Sequence, residues 1–155
     1  MSLESVRRFL ADHAPDIAVI EQAASTATVA EAAATLGVLP AQIAKTLSLR
    51  VRDEVVLVVA CGDARLDNRK VKDALGARPR LLDAGEVAAL TGHPVGGVCP
   101  FGLATPLRIW CDMSLRRFAQ VYPAAGSPTT SVCLSPERLA SLAGACWADL
   151  CRTPD

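Results

Sequence analysis

Lys45-Thr46-Leu47-Ser48-Leu49-Arg50-Val51-Arg52-Asp53-Glu54-Val55-Val56-Leu57-Val58-Val59-Ala60-Cys61 is the stretch that decides the fold. Two β-rich runs, Lys45 to Val51 and Glu54 to Cys61, flank the charged turn Arg52-Asp53 and predict a hairpin. Around it, helices and strands alternate irregularly. A hairpin in such a chain argues for a mixed α/β fold with helices packed on a mixed sheet, rather than a purely parallel one. Upstream, Leu3 to Ala14 predicts an amphipathic helix with Val6, Phe9 and Leu10 on one stripe, and Ile17 to Ile20 a short strand. Thr28-Val29-Ala30-Glu31 reads as a capping box and Gly37 as a helix stop.

Downstream, Asp67 caps a helix that Gly76 ends. Arg80 to Leu82 predicts a brief strand, and Asp83-Ala84-Gly85-Glu86 starts a helix reaching Leu90 or Thr91. Further strands are expected at Leu107 to Cys111, Gln120 to Tyr122, Ser131 to Leu134 and Cys146 to Leu150, and a helix opens at Ser135-Pro136-Glu137. No internal repeat or linker interrupts residues 1–155, so one domain is expected.

Composition narrows the function classes. Half of the residues are hydrophobic and the formal net charge is zero, so no global field advertises nucleic acid or membrane. No apolar run is long enough to span a bilayer and the N-terminal residues lack the apolar core of a signal peptide; a cytosolic protein with reduced thiols is expected. The six cysteines form no Cys-x-x-Cys pair, and His13 and His93 are the only histidines, so no metal site is expected. Neither a Gly-x-Gly-x-x-Gly after a strand nor a P-loop lysine pattern is present, and no cofactor is expected.

Two segments carry candidate chemistry. Thr91-Gly92-His93-Pro94 leads into Gly96-Gly97-Val98-Cys99-Pro100-Phe101-Gly102, placing four glycines and two prolines within eleven residues. Such a loop either cradles a ligand with its backbone or rigidly connects a helix to a strand. Gly97 is the position where closest approach to a substrate is expected. Strand alternation puts Lys45 on one face with Leu47, Leu49 and Val51. A cation there either serves a ligand or snorkels to water. Asp112 ends a strand and can cap a turn or orient a partner, and Gly126-Ser127 forms a turn able to approach a ligand. Cys99 with His93 invites a cysteine-hydrolase reading, but proximity in sequence does not establish the geometry that chemistry needs. Arg65 to Arg80 holds six basic residues, Arg65, Arg69, Lys70, Lys72, Arg78 and Arg80, against Asp67 and Asp73. The patch is either a solvated face or a hold on a phosphate backbone.

Taken in order over nearly the whole chain, several stretches together resemble the YbaK/prolyl-tRNA-synthetase-associated domain family of free-standing tRNA editing proteins. They are Thr28 to Ala33 with Leu36-Gly37-Val38, Gln42 to Leu47, Gly62 to Asp67, Thr91 to Gly102, Asp112, and Ala125-Gly126-Ser127. The resemblance implies a mixed, partly barrel-like β-sheet surrounded by helices. It implies trans-acting hydrolysis of the ester of a mischarged tRNA, usually tRNA for proline, with prolyl-tRNA synthetase as a further partner; the alternative is a noncatalytic relative that binds tRNA or the synthetase. It assigns the functional lysine to Lys45, the substrate-facing loop to Gly96, Gly97, Val98, Cys99 and Pro100, and the remaining pocket to Asp112, Gly126 and Ser127. Thr26, within Ala23 to Ala27, falls in the acyl-pocket region. Arg65, Arg69 and Lys70 are the residues expected on tRNA. Which amino acid is removed stays open.

Overall fold

The computed structural model describes residues 2–154. Its centre is the predicted hairpin, β2 (Ile43–Val51) and β3 (Glu54–Cys61), paired over eight residues from Ala44–Cys61 to Val51–Glu54. Arg52 takes the left-handed conformation (φ 56°) that a two-residue hairpin turn demands. The other elements are α1 (Ser2–His13), β1 (Ile20–Glu21), α2 (Val29–Leu36), β4 (Arg65–Leu66), α3 (Asn68–Leu75), β5 (Pro79–Leu81), α4 (Ala84–Thr91), β6 (Arg108–Asp112), β7 (Tyr122–Pro123), β8 (Thr130–Ser131), α5 (Pro136–Ala143), β9 (Cys146–Ala148) and β10 (Cys151–Arg152). No helix among them is long and apolar enough to cross a membrane.

The main sheet runs β5-β2-β3-β6-β9, with β7 also paired to β2. β6 lies parallel to β3 and β9 parallel to β6, so the sheet is mixed as expected. It stays open and closes into no barrel; β1–β8 and β4–β10 form two separate antiparallel ladders. Val56 to Cys61 are buried without a break, because layers cover both faces of β3.

Local chemistry sets the helix limits. Thr28, Asp67, Asp83 and Ser135 each accept a backbone N–H from the first turn, and Gly37, Gly76, Gly92 and Gly144 end those helices in the left-handed conformation. Several strand expectations shift, and the one at Cys146–Leu150 stops at Ala148, before a separate strand at Cys151–Arg152. The Ile17–Ile20 strand forms only at Ile20–Glu21. Gln120–Tyr122 moves to Tyr122–Pro123, and Ser131–Leu134 shortens to Thr130–Ser131. In each case short ladder partners, not local propensity, decide the pairing.

One edge of β2 is occupied in two pieces. β7 pairs with Ile43–Ala44 and β5 with Leu49–Val51. Between them Lys45–Leu47 has no strand alongside, and Ser48 is met only by the Leu82 N–H, at 3.1 Å. This interruption positions the site.

Candidate functional site

A cavity of about 250 Å³ opens at that interruption. Ile43 to Ser48 of β2 form its floor, and Leu81, Leu82, Val87, Tyr122 and Ala124 continue its walls. Thr26, Ala27, Val29, Gly96 and Val98 close the remainder. The Ser48 carbonyl points to the interrupted edge, and backbone direction alternates along an antiparallel strand, so the N–H and C=O of Thr46 point into the gap. The Thr46 hydroxyl is buried and has no partner among the described residues. Sequence alternation sets Thr46 apart from Lys45. At an open strand edge, however, residues of both faces reach the same space.

Lys45 lines the cavity. Its ammonium donates to the carbonyls of Gly62 (3.2 Å) and Ala64, leaving a third N–H for a ligand. Burial lowers its pKa from the ordinary lysine value, opposed by the negative charge of Asp63 and reinforced by Arg65.

The glycine loop follows α4. Gly96 is left-handed (φ 91°), and a Cβ there would come within 2.9 Å of Ala27 Cβ. The N–H groups of Gly96 and Val98 donate to no acceptor among the described residues. Gly97 is different. Its N–H closes a turn onto Pro94 O, its carbonyl accepts from Gly126 N, both at 2.9 Å, and it does not line the cavity. A Cβ on Gly97 would lie 2.6 Å from Ser127 N. Its lack of a side chain therefore serves the seam between the loop and the Gly126-Ser127 turn, rather than approach to a substrate.

His93 holds this seam from beneath. It is fully buried, with Nε2 facing Phe101 O and Nδ1 facing the Ser2 hydroxyl. That hydroxyl also lies 2.6 Å from Gly126 O. Phe101 is buried under α1, where its ring stacks on Phe9 at 5.6 Å. Thr26 is placed by Pro128, whose carbonyl accepts from its N–H at 2.6 Å and its hydroxyl at 3.1 Å.

Lys45, Gly96, Val98 and Thr26 thus come together around one cavity, and the other expected residues do not line it. Cys99 is fully buried, and burial pushes its thiol up to about 12. Its sulfur sits 3.6 Å from His93 Nε2, but that nitrogen is committed to Phe101 O, and no activated nucleophile results. Pro100 is buried beside it. Ser127 bonds Thr130 within its own turn, at 2.7 Å. Asp112 is 1% exposed, and its carboxylate accepts from the N–H groups of Ser114, Leu150 and Cys151 at 2.9, 2.7 and 3.0 Å. It fastens β10 rather than facing the cavity. Lys70 is tied to Asp149 (3.0 Å) and to Cys151 O (2.8 Å), whereas Arg65 and Arg69 are exposed. Among the described residues no cluster of His, Cys, Asp and Glu is arranged to hold a metal ion.

The chain is similar to known proteins in sequence and in fold. YwhH of Bacillus subtilis is 44% identical over 154 residues, covering 98% of each chain. Proline--tRNA ligase of Bacillus licheniformis is 35% identical over 107 residues; the match takes in 68% of this chain and 18% of the ligase. A crystal structure described as a proposed trans-editing enzyme for prolyl tRNA synthetase superposes with a TM-score of 0.90, at 34% identity and 97% coverage of both chains. The model of the aminoacyl-tRNA editing domain matches residues 23–142, the span that contains Thr26, Lys45 and the whole glycine loop, and the chain belongs to that family.

Proposed function

We propose that this protein is a trans-acting aminoacyl-tRNA deacylase that hydrolyses the ester of a wrongly charged tRNA, with tRNA for proline as the expected carrier. The observation that supports the reading is the cavity at the interrupted edge of β2, lined by Gly96 and Val98, whose N–H groups have no acceptor among the described residues, and by Lys45, whose ammonium keeps a third N–H. Ester hydrolysis needs fixed donors where negative charge develops on the carbonyl oxygen, and backbone N–H groups supply them without reorganisation. Gly96 and Val98 fill that role. Lys45 holds a ribose or phosphate oxygen of the terminal nucleotide. Water is the nucleophile: it adds to the acyl carbon, the ribose oxygen leaves with a proton, and the free amino acid is released.

The largely aliphatic walls favour a small uncharged side chain, since a charged one would enter them unpaired. A pocket separates neighbouring side chains by only about 1–3 kcal/mol per methylene, which is why a second, hydrolytic site has value. The test is a panel of Cys-, Ala-, Ser-, Thr- and Pro-charged tRNA for proline, incubated with the purified protein. Accelerated release from at least one mischarged species, with Pro-tRNA spared, is expected. Release at the spontaneous rate from all of them would replace this reading with that of a noncatalytic tRNA- or synthetase-binding relative.

A further inference from the structure

Arg65 and Arg152 stand directly opposite each other in the antiparallel β4–β10 ladder. Like charges at such a position repel. Arg69, in the first turn of α3, and Arg78, before β5, line one surface depression with Arg152, Leu66, Asp67 and Asn68. All four arginines are exposed, and none forms an ion pair with an acidic side chain among the described residues.

Acids are close by but committed elsewhere. Asp63 holds Arg117 at 2.6 Å and Asp149 holds Lys70 at 3.0 Å. Asp67 accepts the N–H groups of Arg69 and Lys70 and so caps α3. The same interactions build the patch. Lys70 links α3 to the Cys151 carbonyl, and the buried Asp112 carboxylate grips the backbone at Leu150 and Cys151. Together they hold Arg152 against Arg65 despite the repulsion. The patch is linked to the cavity through Lys45, whose ammonium donates to the carbonyls of Gly62 and of Ala64, the residue next to Arg65 in the chain.

Four guanidiniums assembled without an ion-pair partner, with Asp67 turned to its capping role among them, match a polyanion threaded past them. We propose that Arg65, Arg69, Arg78 and Arg152 form the docking surface for the phosphate backbone of the RNA strand whose acylated end enters the cavity. This inference rests on the deacylase reading for the identity of the strand. It places Arg78 and Arg152 on the RNA and takes Lys70 off it, as a residue that positions the others.

Fluorescence anisotropy with labelled, uncharged tRNA for proline, titrated across a salt series, tests it. Each phosphate that a variant no longer neutralises should reduce the slope of log affinity against log salt by about 0.7–0.9. Arg65→Gln/Arg152→Gln and Arg69→Gln/Arg78→Gln should therefore each flatten the slope by roughly twice that. Arg152→Lys, which keeps the charge, and Arg8→Gln, on the exposed face of α1, should leave it unchanged. If the first pair disturbs the β4–β10 ladder, the second, which lies outside it, reads the same quantity. Wild-type slopes in both double variants, or no binding of tRNA by the wild type, would overturn the docking surface. Slopes that flatten as expected in a protein unable to hydrolyse any charged tRNA would uphold the surface and remove the deacylase reading alone.

Discussion

The carbonyl oxygen of Phe101 lies 2.7 Å from Nε2 of His93, and because a carbonyl only accepts, that nitrogen carries the proton. Nδ1 is left to accept, facing Ser2 at the start of α1. One buried imidazole thereby joins α1 to the glycine loop, and the Ser2 hydroxyl between that ring and the Gly126 carbonyl has one proton to give to either.

Burial lowers the His93 pKa below its ordinary 6.5, with the Phe101 contact opposing the shift. The unfolded chain therefore takes up a proton near pH 6.5 and the folded protein only at lower pH. Between those two values the unfolded state binds more protons, so stability is complete above about pH 6.5 and declines as pH falls toward the folded pKa. The slope from this one group is at most about 1.4 kcal/mol per pH unit. His93→Gln should be less stable at pH 7.5 and should lose that part of the acid dependence. Urea melts of both proteins at pH 5.5, 6.5 and 7.5 measure it; parallel pH profiles would refute the assignment.

Lys45→Ala should abolish deacylation, by a hundredfold or more, while the fold persists. The variant loses two hydrogen bonds to backbone carbonyls, a cost of about 1–2 kcal/mol, partly offset because no ammonium remains to be desolvated. Turnover and thermal midpoint, taken side by side, separate the two effects. Near-normal turnover would mean that Lys45 only ties β2 to the Gly62–Ala64 turn.

Gly97→Val should lower stability and activity together. Its Cβ would meet the Ser127 backbone at 2.6 Å, and backbone cannot swing aside as a flexible side chain does. Overpacking of this kind costs about 1–3 kcal/mol. Val98→Ala, which keeps the N–H and meets no such obstacle, should stay near the wild-type thermal midpoint. Should Gly97→Val melt with the wild type, the seam to the Gly126-Ser127 turn does not hold the loop.

Cys99→Ser should keep most of its activity, since the thiol is fully buried and held far above neutral pH. Placing a hydroxyl there should cost stability instead, about 1–3 kcal/mol unless it finds Phe101 O. A thousandfold loss of turnover in a well-folded variant would restore the cysteine as nucleophile.

Features that depend on neighbours in sequence were legible. Thr28, Asp67, Asp83 and Ser135 begin helices and glycines end them, because a cap is satisfied within one turn. The hairpin from Lys45 to Cys61 was legible for the same reason, though β2 begins two residues earlier, where β7 supports it. Residues whose roles rest on distant partners were not. Lys70 reads as one more surface cation until Asp149, 79 positions away, is found beside it. Asp112 reads as a site carboxylate until Leu150 and Cys151 fold onto it. Gly97 sits in the right loop, but its reason for being glycine belongs to a turn about thirty residues on. Thr46 was missed because nothing local shows that the strands flanking β2 stop short.

An unzipped stretch on a sheet edge ordinarily invites another polypeptide to add itself there. Here the open length is three residues, Lys45 to Leu47, about 10 Å at the rise of a strand. β7 blocks one end, β5 the other, and Ala27 against Gly96 roofs the approach. A foreign strand of ordinary length has no room to lie down, whereas a single acyl group at the tip of a flexible end does. This edge thus exposes main-chain polarity to a small visitor without offering another strand a full template.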